Sequence, residues 1–343
     1  MVRLQPCLWI GELQSSAHSL AQTLAAVCPN RLLGSQPGWE RIALVFVSKI
    51  SMRLYKLIVL LCCLGSANLA YADLNLRDDT GQLLHLKQTP QRIVSLAPHA
   101  TELLFAAGAG TRIVGASEYS DYPEAAKHIP RIGGVLLDIE AIVALHPDLV
   151  VAWADGNTPT QLQRLKQLGI PLFLSAPKRL DDIPAGLERL GQLLDTEQIA
   201  HTTATQFREQ LRRLRSTYSG RKKLQVFYQI WDEPLLTING THIISDALNA
   251  CGAENIFAKL PALTPTVSIE NILHTDPDAI VTSSQDAQRP ARLDAWRRWP
   301  RLAAVHNNHL FFVTADWIDR PAPRILQGVA QLCALLDQAR TKP

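Results

Sequence analysis

Methionine is nearly absent from this 343-residue chain, which has only Met1 and Met52, and charged residues make up no more than 19%. There is no marked excess of either sign: 34 Lys and Arg face 31 Asp and Glu, a formal +3. The longest basic run is Arg221-Lys222-Lys223. Binding of nucleic acid needs clustered cations that displace counterions from phosphates, so no nucleic-acid partner is expected. Motifs of catalysis are missing as well: there is no G-x-S-x-G elbow, phosphate-binding P-loop, G-x-G-x-x-G or H-E-x-x-H. Apolar residues are abundant, at 47%, enough to exclude a disordered chain and to build a sizeable core.

The segment beginning at Met52 has the three parts of a secretory signal. A basic stretch, Arg53 to Lys56, precedes the apolar run Leu57-Ile-Val-Leu-Leu-Cys-Cys-Leu64, and Ala70-Tyr71-Ala72 fits an A-x-A cleavage site. The run is shorter than the roughly 20 apolar residues that a spanning helix needs. Leu61 before Cys62 argues against lipidation, which favours a small residue there. We therefore expect residues 1–51 to be a mis-called upstream segment, 52–72 a signal peptide cut after Ala72, and the protein to be exported. Removing 72 residues from 343 leaves 271. The removed part holds six basic and two acidic residues, so 28 cations face 29 anions in what remains. Of six cysteines only Cys251 and Cys333 persist. An oxidising compartment favours one disulfide over two buried thiols.

Strand and helix patterns alternate along the mature chain. A small hairpin is expected around Asp78-Asp79-Thr80-Gly81, then strands at Arg92–Leu96, Arg112–Gly115, Leu149–Ala152 and Ile170–Leu174, with helices at about 101–107, 139–145 and 158–168. From Ile183 the apolar residues recur every three or four positions through Leu187, Leu190, Leu194, Phe207, Leu211, Leu214 and Tyr218, a helical period that Asp195-Thr196-Glu197 interrupts. Strands then return at Leu224–Tyr228, Ala279–Thr282 and Leu310–Val313, and a last helix is expected over about 323–339. Ile139-Glu-Ala-Ile-Val-Ala-Leu-His-Pro-Asp-Leu-Val-Val151 aligns without gaps to Ile269-Glu-Asn-Ile-Leu-His-Thr-Asp-Pro-Asp-Ala-Ile-Val281. The fold expected is α/β: two similar lobes with parallel sheets, 73–182 and 220–343, joined by a long helix at 183–219, with a ligand cleft between them.

Ligands bind at the carboxyl ends of strands in such sheets, and aromatic residues gather there. Tyr119 and Tyr122 come after the second strand, and Trp153, Trp231 and Trp317 after later ones. Each alone would be ordinary core packing. Together they suggest the lining of a cleft for a large, partly polar ligand. Asp316 and Arg320 add polar groups that either bind such a ligand or pair with each other. The nine mature histidines are scattered, and His146 and His274 sit at expected helix ends. His99 lies at a strand-to-helix junction, where it serves either helix entry or the cleft.

The stretches IVSLAPHATELLFAAGAGTRIVGASEYSDYP, IEAIVALHPDLVVAW, ALNACGAENIF, VSIEN and DWIDRPAPR resemble the cobalamin-binding periplasmic proteins of ABC importers, over nearly all of residues 91–340. That resemblance implies a binding protein and no enzyme, with no resident cofactor, because cobalamin or another corrinoid is the cargo. It implies an ABC permease dimer of the inner membrane as partner. By position it makes Tyr119, Trp153, Asp316 and Arg320 corrinoid contacts, to which Trp231 and Trp317 are added from the strand-end pattern. It pairs Cys251 with Cys333 and makes Glu140 and Glu270 the two acids, one per lobe, that dock on the permease. Three family aromatics are unmatched, near Val135 and at Leu236 and Thr264. Each lost stacking surface removes about 0.5–1.5 kcal/mol beyond area burial, with Trp231 as a partial replacement. The alternatives are a haem or iron-siderophore carrier of the same fold, with His99 or Tyr119 as an iron contact, and a secreted hydrolase or metal-dependent enzyme, which would need three His, Asp or Glu side chains converging in the cleft.

Overall fold

The computed structural model describes residues 74–285 and 288–341. The expected upstream segment 1–51 and signal peptide 52–72 lie outside the described residues. The first elements, β1 (Leu74–Arg77) and β2 (Leu83–Leu86), pair antiparallel. Asp78 closes their turn, with Oδ1 accepting from the backbone N–H of Thr80 and of Gln82 at 2.9 Å each.

Two four-stranded parallel sheets come next. The first is built from β3 (Ile93–Ser95), β4 (Ile113–Ala116), β5 (Leu149–Trp153) and β6 (Leu172–Ser175), in the order β4-β3-β5-β6. The second is built from β7 (Leu224–Gln229), β8 (Ala253–Asn255), β9 (Ala279–Ser284) and β10 (Leu310–Thr314), in the order β8-β7-β9-β10. The winding is the same in both, so the repeat seen in the sequence extends to a whole lobe. Strand β8 is the counterpart of β4 and carries no apolar run of its own, with Glu254 at its centre, so the pattern along the chain does not announce it.

The Pro-Asp of the repeat has a structural cause. Asp148 accepts from the backbone N–H of Gln91 and Arg92 at 2.7 and 2.9 Å, and its own N–H donates to the Arg92 carbonyl. Asp278 does the same at the start of the second sheet, accepting from Gln225 N–H at 2.7 Å while its N–H donates to the Gln225 carbonyl. Each aspartate thus ties the start of its own strand to the start of the neighbouring one and fixes the register of the parallel pair.

In the first lobe α1 (Pro98–Ala106) comes after β3, α2 (Ile139–Ala144) precedes β5 and α3 (Pro159–Gln167) leads to β6. The helical stretch expected at 183–219 is two helices, α4 (Asp182–Leu194) and α5 (Glu197–Tyr218), packed against each other. Asp195 breaks them, in the left-handed region at φ 53°. Aspartate tolerates that conformation better than most residues. Helix α5, with 22 residues, is about 33 Å long at 1.5 Å per residue. The second lobe adds α6 (Ile243–Ala250), α7 (Ile269–Thr275), α8 (Ala291–Asp294), α9 (Ala303–His306), α10 (Ala315–Ile318) and α11 (Ile325–Thr341). One apolar core runs through both lobes, from Leu103 on α1 through Leu187 and Leu211 to Leu248 and Leu332. Close packing of that kind resists deformation and joins the two cleft walls through a common core.

Candidate site in the cleft between the lobes

A cavity of about 330 Å³ opens between the carboxyl ends of the two sheets. The first lobe supplies Trp153 and Asp155 beyond β5 and Pro177 and Lys178 beyond β6. The second supplies Tyr228 and Ile230 at the end of β7, residues 241–244 at the start of α6, and Ile318, Asp319 and Pro321 after β10. Most of this wall is aliphatic, so it desolvates a ligand while a few polar groups fix its orientation.

Trp153 is the expected site residue that lines the cavity. Its position is built with care: Asn157 Oδ1 accepts from its backbone N–H at 2.7 Å, and Asn157 Nδ2 donates to the Leu96 carbonyl at 3.0 Å. Gly156 allows the turn to cross the indole, since a Cβ there would come within 1.9 Å of the ring. His99 meets Trp153 edge to face, with centroids 5.4 Å apart and planes at 82°. The His99 ring is buried and Nε2 has no hydrogen-bond partner among the described residues. Burial lowers its pKa to about 3, so the ring is neutral. His99 therefore braces Trp153 from behind and does not face the cavity.

The other expected contacts lie beside the cavity, off its lining. Arg320 is held at the seam between the lobes, donating to Asp121 at 2.6 Å and Glu102 at 3.3 Å and paired with Asp316 at 2.8 Å. The ion pair between Asp316 and Arg320 thus forms, within a larger network that the sequence pattern does not single out. Glu102, on α1, is almost wholly buried and also accepts from Arg324 Nε at 2.9 Å. Arg324 in turn lies over the Tyr122 ring, 3.7 Å from its centroid. Partial burial would raise the Asp121 carboxyl, but the hydrogen bond and charge of Arg320 outweigh it and the net shift is downward. Tyr119, 73% exposed at φ 63°, stands two residues from Asp121 at this seam. Trp317 is half-buried on α10. Trp231 is 53% exposed on a short turn, where Nε1 donates to the Glu233 carbonyl and its backbone bridges to Leu236. Of the positions that lack the family's aromatics, Thr264 lines the cavity, whereas Val135 is exposed on the first lobe.

The pattern along the chain does not single out the polar cavity residues Asp155, Lys178, Thr241, His242 and Asp319. Asp319 is open to the cleft but has protein around most of it. Desolvation raises its carboxyl to about 6, and the neighbouring Ser283 and Tyr228 pull the other way more weakly. The buried Tyr228 hydroxyl feels Asp319 electrostatically, although among the described residues no partner is aligned for a full hydrogen bond. Among the described residues no group of three or more His, Cys, Asp or Glu is placed to hold a metal ion.

Outside the cleft, Glu140 and Glu270 occupy the same place in their lobes, each the second residue of its helix and exposed. Asp138 and Ser268 cap the two helices, accepting from Ala141 N–H at 2.8 Å and Asn271 N–H at 3.3 Å. Hydrogen bonds from its own backbone and from Ser268 hold the Glu270 carboxyl below the usual range. Cys251 and Cys333 form a disulfide, with Cα atoms 4.7 Å apart, that ties the end of α6 to α11.

Residues 93–317 match the family model described as periplasmic binding protein. The vitamin B12-binding protein of Vibrio parahaemolyticus is 38% identical over 256 residues, 74% of this chain and 91% of the relative. That of Vibrio cholerae is 39% identical over 263 residues, 76% of this chain and 94% of the relative. The crystal structure of the periplasmic vitamin B12 binding protein of Vibrio cholerae superposes with a TM-score of 0.68 at 38% identity, covering 74% of this chain and 99% of that one. A periplasmic heme-binding protein from Roseiflexus shares the fold, with a TM-score of 0.65 at 22% identity over 73% of this chain and 99% of that one.

Proposed function

The chain belongs to the periplasmic binding protein family, and from that premise we propose that it captures cobalamin or a related corrinoid between its lobes and delivers it to an ABC permease dimer of the inner membrane. It is a binding protein and catalyses no reaction. The observation that carries the ligand is the identity of 38–39% to vitamin B12-binding relatives across almost their whole length, joined to a cleft whose apolar cavity presents Trp153. A corrinoid is larger than that cavity. In this reading its body extends over the rim, where Tyr119, Trp231, Asp316, Trp317 and Arg320 stand, while one edge enters between Trp153 and α6. Likeness to haem carriers is at the level of fold, and the one histidine that packs on Trp153 is sealed away from the cavity.

Delivery fits the two exposed acids. Glu140 and Glu270 are related by the internal repeat, so they offer a two-fold partner one carboxylate from each lobe. Export would result from the signal at 52–72, with the mature protein beginning at Asp73. Titration of the purified protein with cyanocobalamin in a calorimeter should show saturable heat at one site per chain. No heat and no co-eluting visible absorbance at high micromolar ligand would refute the corrinoid reading, and binding of haem in its place would establish the alternative.

A further inference from the structure

Helix α6 starts in an uncommon way. Its N-cap is His242, whose Nδ1 accepts from the Ile244 backbone N–H at 3.2 Å. The usual caps are Ser, Thr, Asp and Asn, whose short side chains satisfy the free amides of the first turn at little entropic cost. An imidazole can do this only in one state. To accept at Nδ1 the ring must carry no proton there, so the neutral ring carries its proton on Nε2. The cap thereby fixes the tautomer.

The same ring lines the cavity. With Nδ1 turned to the helix backbone, Nε2 is left to the cleft, and the ring's hydrogen bond among the described residues is the one at Nδ1. Burial lowers the ring's pKa to about 4, and the charge of Asp155 across the cleft opposes this without reversing it. At neutral pH the His242 ring is therefore a neutral N–H donor in the cavity wall, on the second lobe's side where Ile230, Ile238, Ile244 and Ile318 also line it. A donor in an apolar wall discriminates strongly, because a ligand that offers it no acceptor leaves it desolvated and unpaired.

Helix α1 is the counterpart of α6 in the other lobe, since each comes after the first strand of its sheet. It too brings a histidine to the cleft, yet His99 is sealed behind Trp153. Of this related pair, His242 is the one open to a ligand.

We propose that His242 is a ligand-binding residue that donates an Nε2–H hydrogen bond to an acceptor oxygen on the captured molecule, its tautomer locked by the cap on α6, and that it does not act as an axial ligand to a bound metal. Metal ligation through Nε2 would need that nitrogen's lone pair, and so would move the proton to Nδ1 and break the cap. The proposal rests on the corrinoid reading, in which the acceptor is a peripheral amide carbonyl or the phosphodiester of the nucleotide loop.

The test compares the wild type with His242→Ser, which keeps a capping oxygen but is too short to reach the cavity. Thermal midpoints should agree within about 2 °C, since the cap is retained. Affinity for cyanocobalamin should fall by about fivefold to tenfold, the worth of one desolvated hydrogen bond. Dicyanocobinamide, which lacks the nucleotide loop, locates the acceptor: an equal loss with both probes places it on an amide, and a loss with cyanocobalamin alone places it on the phosphodiester. Nitrogen-15 spectra of the histidine rings supply a readout that a purely structural role would not move: the His242 proton should stay on Nε2, and the Nε2–H resonance should shift on binding as it meets an acceptor. Unchanged affinity in His242→Ser, or a proton on Nδ1, would overturn the donor role while leaving the corrinoid reading intact. Failure of the wild type to bind either corrinoid would overturn that reading and this role with it.

Discussion

Replacing Glu102 by Gln should lower the unfolding free energy by about 3 kcal/mol, which is the lower end of what is lost when one member of a buried ion pair is removed. The Glu102 side chain is 2% exposed, and those of Arg324 and Arg320 are 14% and 12% exposed. Glutamine keeps the shape and one acceptor, so it spares part of the hydrogen bonding. It does not neutralise Arg324, whose carboxylate partner in the described structure is Glu102. Arg320 is less affected, because Asp121 and Asp316 still face it. In a protein of this size 1 kcal/mol corresponds to about 2–4 °C, so the midpoint should fall by about 6–12 °C. The matched control is Asp121→Asn. That carboxylate is 46% exposed, and an ion pair open to water is worth about 1 kcal/mol or less. Urea and thermal unfolding of the three proteins at pH 7.5 measure the difference. Equal losses in the two variants, or a loss under 1 kcal/mol in Glu102→Gln, would refute the argument that a desolvated carboxylate pins the second lobe's arginines to α1.

Three further outcomes are expected. Changing both Cys251 and Cys333 to Ala should reduce stability by about 2–5 kcal/mol, because the bond closes a loop of 82 residues and the chain-entropy relation gives about 4.5 kcal/mol; a change below 1 kcal/mol in denaturant titrations would contradict this. His99 titrates near 6.5 when unfolded and near 3 when folded, so the unfolded chain binds the extra proton and stability falls as pH drops below 6.5, by up to about 1.4 kcal/mol per unit. The variant His99→Gln should lack that part of the slope between pH 6.5 and 4.5, and parallel pH profiles for variant and wild type would show that the buried ring is not the cause. Reversing charge at both Glu140 and Glu270 to Lys should leave corrinoid affinity within twofold while reducing uptake in cells at least tenfold, as expected of electrostatic docking; an equal fall in affinity would place these residues in binding, not delivery.

Much of the architecture is legible along the chain because burial acts at short range. A strand covered on both faces needs a continuous apolar run, and Leu149-Val-Val-Ala152 and Ala279-Ile-Val-Thr282 supply one in each lobe. The internal repeat revealed the two-lobe plan, and its aspartates proved to clamp strands. Asp195 showed as an interruption, though its sharp turn between two packed helices depended on a left-handed backbone that no period encodes. Strand β8 escaped notice because its middle residue is a glutamate with one side in water. Trp153 was legible because a tryptophan directly after a buried strand has few places to go except the strand end.

The sequence alone therefore determined the class of fold, the doubled lobe, the cysteine pair and the family, since each rests on local period or on residues read in order. Tertiary structure alone decided the roles of Glu102 and His242. The arginines that neutralise Glu102 lie 218 and 222 residues away, and desolvation, which makes that pairing obligatory, exists only once the lobes meet. His242 reads as one more scattered histidine until its ring is seen to spend one nitrogen on a helix and turn the other to the cleft. A charge or a proton takes its function from the dielectric around it, and that is fixed by packing.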